Sequence, residues 1–229
     1  QTCALPIWSL STSKQVFEYT FRAMGRGAIG VPAAGMRAIP EALADRAREA
    51  GVAIETGADV ESVRIAGQGR IPFRTGSADA EGATVELADG ATRETDAVVV
   101  ATSPPEARRL TGVESVPTEG VPNTTGWYAL PAGESFETGK RILLNAASES
   151  PNAVVPMSEV APEYAPDDRA LLAATFLGED ALERADGDLR DDVRGALEAW
   201  FPDREFDELE TVDVHRIRFA QFAQPPGVH

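Results

Sequence analysis

The feature that most constrains the fold is an uninterrupted apolar run, Ala97 to Ala101, between Asp96 and Thr102. A strand with one face in water alternates apolar and polar residues, whereas a strand covered on both faces is apolar throughout. The run therefore predicts a buried strand at 96–102, of the kind found in parallel sheets. Ser103 and two prolines stop it, and a short helix is expected at 106–110. An α/β fold follows.

Other segments indicate helices and strands less strongly. Pro40 in a first turn and Gly51 at the end predict one helix, and apolar residues at helical spacing predict a second, from Leu189 to Trp200. The alternation of apolar and polar residues shifts by one position near His215, which predicts a break or bulge in the strand there. Further strands are predicted at 52–56, 60–65, 71–75, 84–87, 127–130, 142–145, 153–158 and 171–176. The sequence becomes rich in Pro, Glu and Thr after Val113, and this change in composition predicts a domain boundary near residue 112.

Charge excludes several classes of partner. The 229 residues carry a formal net charge of −16 and show no basic stripe, so nucleic acid is not an expected partner. The apolar runs are far shorter than the roughly 20 residues that a membrane-spanning helix needs, so no transmembrane segment is expected. Arginine outnumbers lysine by 19 to 2. This bias predicts a salt-adapted, acidic protein, with an ordinary acidic protein from a high-GC genome as the alternative.

The two ends resemble those of an internal fragment. The chain has no initiator Met, and Gln1–Ile7 resembles the translation of a sequencing adapter, so it is left out of the fold prediction. No signal peptide is recognisable, and a cytoplasmic location is expected. Cys3, the single cysteine, lies in that heptapeptide, so thiol catalysis, disulfides and a metal site are not expected.

A literal G-x-G-x-x-G runs from Gly25 to Gly30. In a dinucleotide site the helix begins within this turn, so that its amide groups meet the pyrophosphate. Here Pro32, Gly35 and Pro40 occupy the stretch where that helix would run. A structural glycine-rich connection is therefore favoured, and a nicotinamide-binding domain stays open as the alternative.

An ordered set of segments resembles the flavin-dependent amine oxidase and phytoene desaturase-like family of FAD-dependent oxidoreductases. Gly30–Ala44 is similar to the turn and helix in the middle of these proteins. It is followed by "G-V-x-I" at 51–54, "V-x-x-V" at 60–63, and the buried "A-D-x-V-V-x-A-x-x-P" strand, which reads TDAVVVATSP at 95–104. The order matches over residues 13–112 and continues more loosely to residue 229.

The resemblance implies the central part of a discontinuous FAD-binding, Rossmann-like domain plus a mixed α+β substrate domain. The implied parts are the adapter-derived residues 1–7, the end of a substrate-domain segment at 8–29, part of the FAD-binding domain at 30–112, the substrate domain at 113–215, and the start of the return to the FAD-binding domain at 216–229.

The same resemblance implies site residues. Val60 matches the position whose backbone meets the adenine of FAD, and Ala101 and Thr102 end the strand that approaches the cofactor. Trp127, Phe219 and Phe222 are candidate walls of a substrate cavity, with ordinary core packing as the alternative. No residue is assigned as a catalytic acid or base.

The function implied is transfer of a hydride from a small apolar or amine substrate to flavin. The glycine-rich turn and the Gly-Asp segment that hold FAD in the family are missing from this sequence, so the fragment alone is expected to bind FAD poorly and to be inactive. Residues 124–128 contain no lysine where many amine oxidases carry one, which favours a desaturase-like oxidoreductase. The alternative from another class is a catalytically silent acidic binding module.

Overall fold

The computed structural model describes residues 13–65, 82–131, 133, 136–146 and 150–225. Within these residues lie six α-helices and one 3-10 turn: α1 (Lys14–Met24), α2 (Ala38–Glu49), α3 (Pro104–Thr111), α4 (Met157–Val160), the turn Pro162–Tyr164, α5 (Asp180–Glu183) and α6 (Asp186–Trp200). The same residues contain eight strands: β1 (Val60–Ile65), β2 (Ala83–Leu87), β3 (Thr92–Thr95), β4 (Gly120–Pro131), β5 (Leu143–Leu144), β6 (Ala153–Pro156), β7 (Arg169–Leu177) and β8 (Glu210–Phe222).

The chain forms two compact units. Residues 44–120 make up the smaller unit, and the larger unit is built from residues before 44 and after 120. The smaller unit holds an antiparallel sheet in the order β1-β2-β3, and the larger holds a sheet in the order β5-β6-β7-β4-β8. The fold is thus a mixture of helices and sheets, as expected. The division into FAD-binding and substrate domains stays a prediction.

Strand β4 shows how the core of the larger unit is built. Side chains alternate between the two faces of a strand, and the even-numbered residues from Pro122 to Leu130 are buried. On this face Tyr128 and Leu130 pack against the apolar stripe of α6, whose members are Leu189, Val193 and Leu197. The opposite face of β4 presents partly exposed side chains, among them Trp127.

Several predicted elements are confirmed. Strand β1 has the predicted bounds, β2 contains the predicted 84–87, and helices α2, α3 and α6 form where proline, glycine and helical spacing placed them. The turn after α3 has a physical cause in Gly112, whose φ of 70° is a conformation that glycine adopts readily. The predicted strand at 71–75 lies outside the described residues.

Three predictions are wrong. Residues 52–56 form no strand: the backbone N–H of Val52 donates to the Ala47 carbonyl at the end of α2, and none of the described strands pairs with the segment. Strand β8 runs without interruption through His215. The segment 96–102 is neither a strand nor buried, and the Val99 side chain is 89% exposed. None of the described strands pairs with this segment, so it lacks the neighbours that a doubly covered strand requires.

Candidate functional site

The start of β1 is irregular at the position predicted to meet adenine. Val60 is opposite Leu87 of β2, whereas Ser62 is already opposite Glu86, so the register shifts across Glu61. Such a bulge removes backbone groups from the regular hydrogen-bond ladder, and bulges are common next to ligand sites.

Arg109 of α3 binds this irregular backbone. Its Nη2 donates to the Val60 carbonyl at 2.7 Å and its Nη1 donates to the Glu61 carbonyl at 2.8 Å. Its Nε lies 3.0 and 2.9 Å from the two carboxylate oxygens of Glu106, one helical turn earlier. The hydrogen bond between the two side chains lowers the pKa of Glu106 and raises the pKa of Arg109. Helix α3 is therefore tied to the backbone of β1 by one guanidinium group.

A shallow open depression of about 480 Å³ adjoins the start of β1. Its lining residues come from the loop before β1, from the turn after β2 and from β3: Glu55, Thr56, Gly57, Ala58, Asp59, Leu87, Ala88, Asp89 and Arg93. Three carboxylates face one guanidinium, and Arg93 already pairs with Glu55 at 3.2 Å. The balance of charge disfavours a phosphate and accepts a neutral or cationic group.

The other two residues assigned to the cofactor precede α3. Ala101 and Thr102 are exposed and lie outside any strand, although they belong to the same compact unit as Val60. The Thr102 hydroxyl lies 3.4 Å from the carbonyl oxygen of Ser103. The roles assigned to Val60, Ala101 and Thr102 stay predictions.

The structure separates the three aromatic residues predicted to line a substrate cavity. Val214 packs on the core beneath α6, and Arg216 and Arg218 donate to Asp186 and Glu183, so the even-numbered positions of β8 face the helices. By the same period Phe222 points to the side of β8 that carries Val214, but its side chain is 40% exposed. Phe219 belongs to the opposite face, which is also the face of Trp127. Their role as cavity walls stays a prediction.

A cluster of three polar side chains ties α5 and α6 to the loop before β6. Arg184 donates to Asp192 at 2.7 Å and lies 3.1 Å from the Ser150 hydroxyl, which itself hydrogen-bonds to Asp192. Burial of Asp192 opposes ionisation, but the hydrogen bonds from Arg184 and Ser150 outweigh it and hold the pKa of Asp192 below its usual value. This cluster stabilises a junction between elements.

The Glu159 carboxylate holds the loop at 136–138. It accepts hydrogen bonds from the backbone N–H of Phe136 at 2.6 Å, from the backbone N–H of Thr138 at 3.0 Å and from the Thr138 hydroxyl at 2.6 Å. The Phe136 ring is buried and stacks on Phe206, with 6.0 Å between the ring centroids. A carboxylate of α4 thereby anchors an aromatic core residue carried by a loop.

The glycine-rich motif does not have the geometry of a dinucleotide site. Gly25–Gly30 follows helix α1 rather than a strand, and the next helix starts only at Ala38. Without a strand before the turn and a helix within it, no row of amide groups is directed at a phosphate. The nicotinamide-binding interpretation is therefore wrong, and the motif is a connection between two helices.

Sequence reasoning missed Arg109 and Glu106. The signal that could have found them is their spacing of three on a predicted helix, which places an acid and a guanidinium on one face.

In the part of the chain that the structure describes, no group of three His, Cys, Asp or Glu side chains could hold a metal ion. No helix among the same residues has the length and apolar character needed to cross a membrane.

A comparison with protein families shows to which family this chain belongs. Residues 3–227 match the family model of flavin containing amine oxidoreductases. The chain belongs to this family. The resemblance inferred from the ordered segments at 30–104 is confirmed, and so is the relation of the mixed fold to FAD-binding oxidoreductases.

Several solved structures of oxidoreductases share the fold. A provisionally assigned protoporphyrinogen oxidase from Exiguobacterium sp. 255-15 is 15% identical, with a TM-score of 0.59 over 85% of this chain and 41% of that one. An oxidoreductase from Methanosarcina mazei is 15% identical, with a TM-score of 0.57 over 84% and 43%. A triple mutant of putrescine oxidase is 18% identical, with a TM-score of 0.52 over 84% and 42%. The chain thus spans less than half the length of these structures. No curated protein matches it.

Proposed function

We propose that this chain supplies the adenine-binding part and a wall of the substrate cavity in an FAD-dependent oxidoreductase that takes a hydride from a small apolar or amine substrate. Residues 30–112 are assigned to FAD and 113–215 to substrate, with 216–229 returning to the cofactor domain. Family membership supports the cofactor class. The observation that carries the assignment of a site is the irregular backbone at Val60.

The residues around Val60 fit the adenine end of FAD. Adenine is neutral and presents a donor and acceptor edge, which a backbone N–H and carbonyl can recognise without a special side chain. The register shift takes Glu61 out of regular pairing with β2, and the adjoining acidic depression suits a neutral ring better than a phosphate. The fit therefore concerns the adenine and not the pyrophosphate.

The flavin, when bound, supplies the hydride acceptor. This chain binds and orients the adenine of FAD and the substrate. The backbone at Val60 holds the adenine, and the exposed sheet face that bears Trp127 and Phe219 gives the substrate an apolar wall that excludes water. A desaturase-like reaction is favoured, because no lysine occurs at 124–128.

The test is titration of the purified full-length protein with FAD, followed by anaerobic reduction with candidate amines and apolar hydride donors. The proposal expects stoichiometric FAD and bleaching of the flavin absorbance by one of these substrate classes. Val60→Ala preserves the backbone and is expected to keep the FAD affinity within about twofold. Val60→Pro removes the N–H and is expected to weaken it, with circular dichroism as the check on folding.

Failure of the full-length protein to bind FAD would overturn the proposal and favour the catalytically silent acidic module. Equal FAD affinities for folded Val60→Pro and for Val60→Ala would remove the role of the Val60 N–H while leaving the family assignment intact.

A further inference from the structure

We propose that Arg109 is a positioning residue, which holds the irregular start of β1 in the shape that meets the adenine, and that Glu106 orients Arg109. This inference rests on the proposed function of the backbone at Val60. Nothing in the family match assigns a role to either side chain.

The geometry at the start of β1 carries the first step. In a regular strand, successive carbonyls point in opposite directions, so one side chain cannot bind two of them in sequence. Arg109 nevertheless donates to the adjacent carbonyls of Val60 and Glu61, at 2.7 and 2.8 Å. The register shift between Val60 and Ser62 makes this possible. The guanidinium therefore binds a backbone geometry that only the bulge provides.

The second step is the support that Arg109 itself receives. Its Nε lies within 3.0 Å of both oxygens of Glu106, so the planar guanidinium has one hydrogen-bonding edge on Glu106 and its remaining donors on β1. A lysine has a single donor centre and cannot reproduce this fork. Arg109 is thus held in one orientation by its own helix.

The third step is that Arg109 and Glu106 position the backbone of β1 but add little to the stability of the fold. The side chains of Arg109 and Glu106 are 45% and 38% exposed, and ion pairs this accessible contribute little to the free energy of unfolding. A carbonyl oxygen has two lone pairs, so the hydrogen bond from Arg109 does not by itself prevent the Val60 carbonyl from binding a ligand. Fixing this backbone in advance removes the cost of ordering it when adenine binds.

The test uses full-length apoprotein and three probes, namely FAD, ADP and FMN. FAD and ADP contain adenine and FMN does not. For Arg109→Gln we expect Kd to rise about tenfold for FAD and for ADP, with the Kd for FMN and the melting temperature unchanged. Arg109→Lys is expected to fall between wild type and Arg109→Gln, and Glu106→Gln is expected to weaken adenine binding by a smaller factor.

Arg108→Gln is the matched control. It removes the same charge from the preceding position of α3, where the Arg108 guanidinium donates to the Val116 carbonyl at 3.4 Å. Equal Kd values for FAD in the two glutamine variants would overturn the inference. An equal loss of FAD, ADP and FMN binding in Arg109→Gln would also overturn it, because that pattern indicates general disruption. Absence of FAD binding by the wild-type protein would instead refute the proposed function.

Discussion

The ring and hydroxyl of Tyr128 occupy the space beside Gly126, two residues earlier on the buried face of β4. A Cβ placed on Gly126 would overlap the Tyr128 hydroxyl oxygen and lie 2.6 Å from the nearest ring carbons. The Tyr128 side chain is fully buried in the core under α6, so it has no free space into which it could rotate. Glycine is therefore required at 126 by packing and not by its backbone angles.

Gly126→Ala is expected to lower the free energy of unfolding by about 2 kcal/mol, since it overpacks a closed core. Chemical denaturation measures the change. Gly195→Ala in α6 is the control: nothing lies within 4 Å of the point that its Cβ would occupy, and alanine in a helix interior stabilises by about 0.5–1 kcal/mol. Equal stabilities of wild type and Gly126→Ala would refute the packing argument.

Tyr128→Phe is expected to raise the free energy of unfolding by about 1 kcal/mol. The hydroxyl is buried, and no partner for it occurs among the described residues, so phenylalanine removes an uncompensated polar group. Tyr164→Phe serves as the opposite case: its hydroxyl donates to the Pro32 carbonyl at 2.8 Å, and the substitution is expected to destabilise. A loss of stability in Tyr128→Phe would show that the hydroxyl has a favourable interaction.

Alkaline pH provides an independent measurement on Tyr128. Burial raises the pKa of Tyr128 well above the ordinary value of 10.0, and the charges of Asp186 and Asp192 raise it further. A raised folded-state pKa means that this residue's contribution is fully present below about pH 10 and is lost as the pH rises, because the unfolded chain ionises first. Wild type is therefore expected to lose more stability above pH 10 than Tyr128→Phe. Parallel pH profiles would contradict this.

Asp192→Asn is expected to lower the free energy of unfolding by about 1–2 kcal/mol at pH 7, because the Arg184 guanidinium and the Ser150 hydroxyl lose a charged acceptor. The pKa of Asp192 is depressed, so this stabilisation is present above the ordinary aspartate pKa of 3.8 and is lost as the pH falls below it. Denaturation at pH 7 and pH 3 measures the difference. Asp191→Asn, which affects the more exposed pairs with Arg190 and Arg194, is expected to change stability by less than about 0.5 kcal/mol.

Glu159→Gln is expected to release the loop at 136–138. One of the two carboxylate oxygens becomes an amide group that cannot accept, so the bonds from Phe136 and Thr138 are not all retained. We expect a loss of about 1–3 kcal/mol and faster limited proteolysis near residue 137. Glu163→Gln, on an exposed side chain of the neighbouring 3-10 turn, is the control. Unchanged cleavage in Glu159→Gln would refute the anchoring role.

The elements that sequence reasoning placed well have local causes. Strand β1, helix α3 with two prolines in its first turn, and the apolar stripe of α6 depend on residues within a few positions of one another, which a pattern along the chain contains. The family resemblance also depends on the order of such local segments. Features of this kind are encoded in the local sequence.

The apolar segment at 96–102 and the site at Val60 show where such reasoning stops. An apolar run indicates that its side chains need other segments to bury them, but it does not say which segments do so. Among the described residues Val99 stays exposed. The contact between Arg109 and Val60 joins residues 49 positions apart, through a register shift that no periodicity signals.

The sequence by itself therefore determined the class of elements, their order and the family, because propensity, capping and apolar spacing act between near neighbours. Only the tertiary structure decided which strand faces are covered, that Phe219 shares a sheet face with Trp127, and that Arg109 reaches the backbone of β1. Those outcomes depend on pairing and packing between segments that are distant in the chain, and the free energy of such contacts is not encoded at any single position.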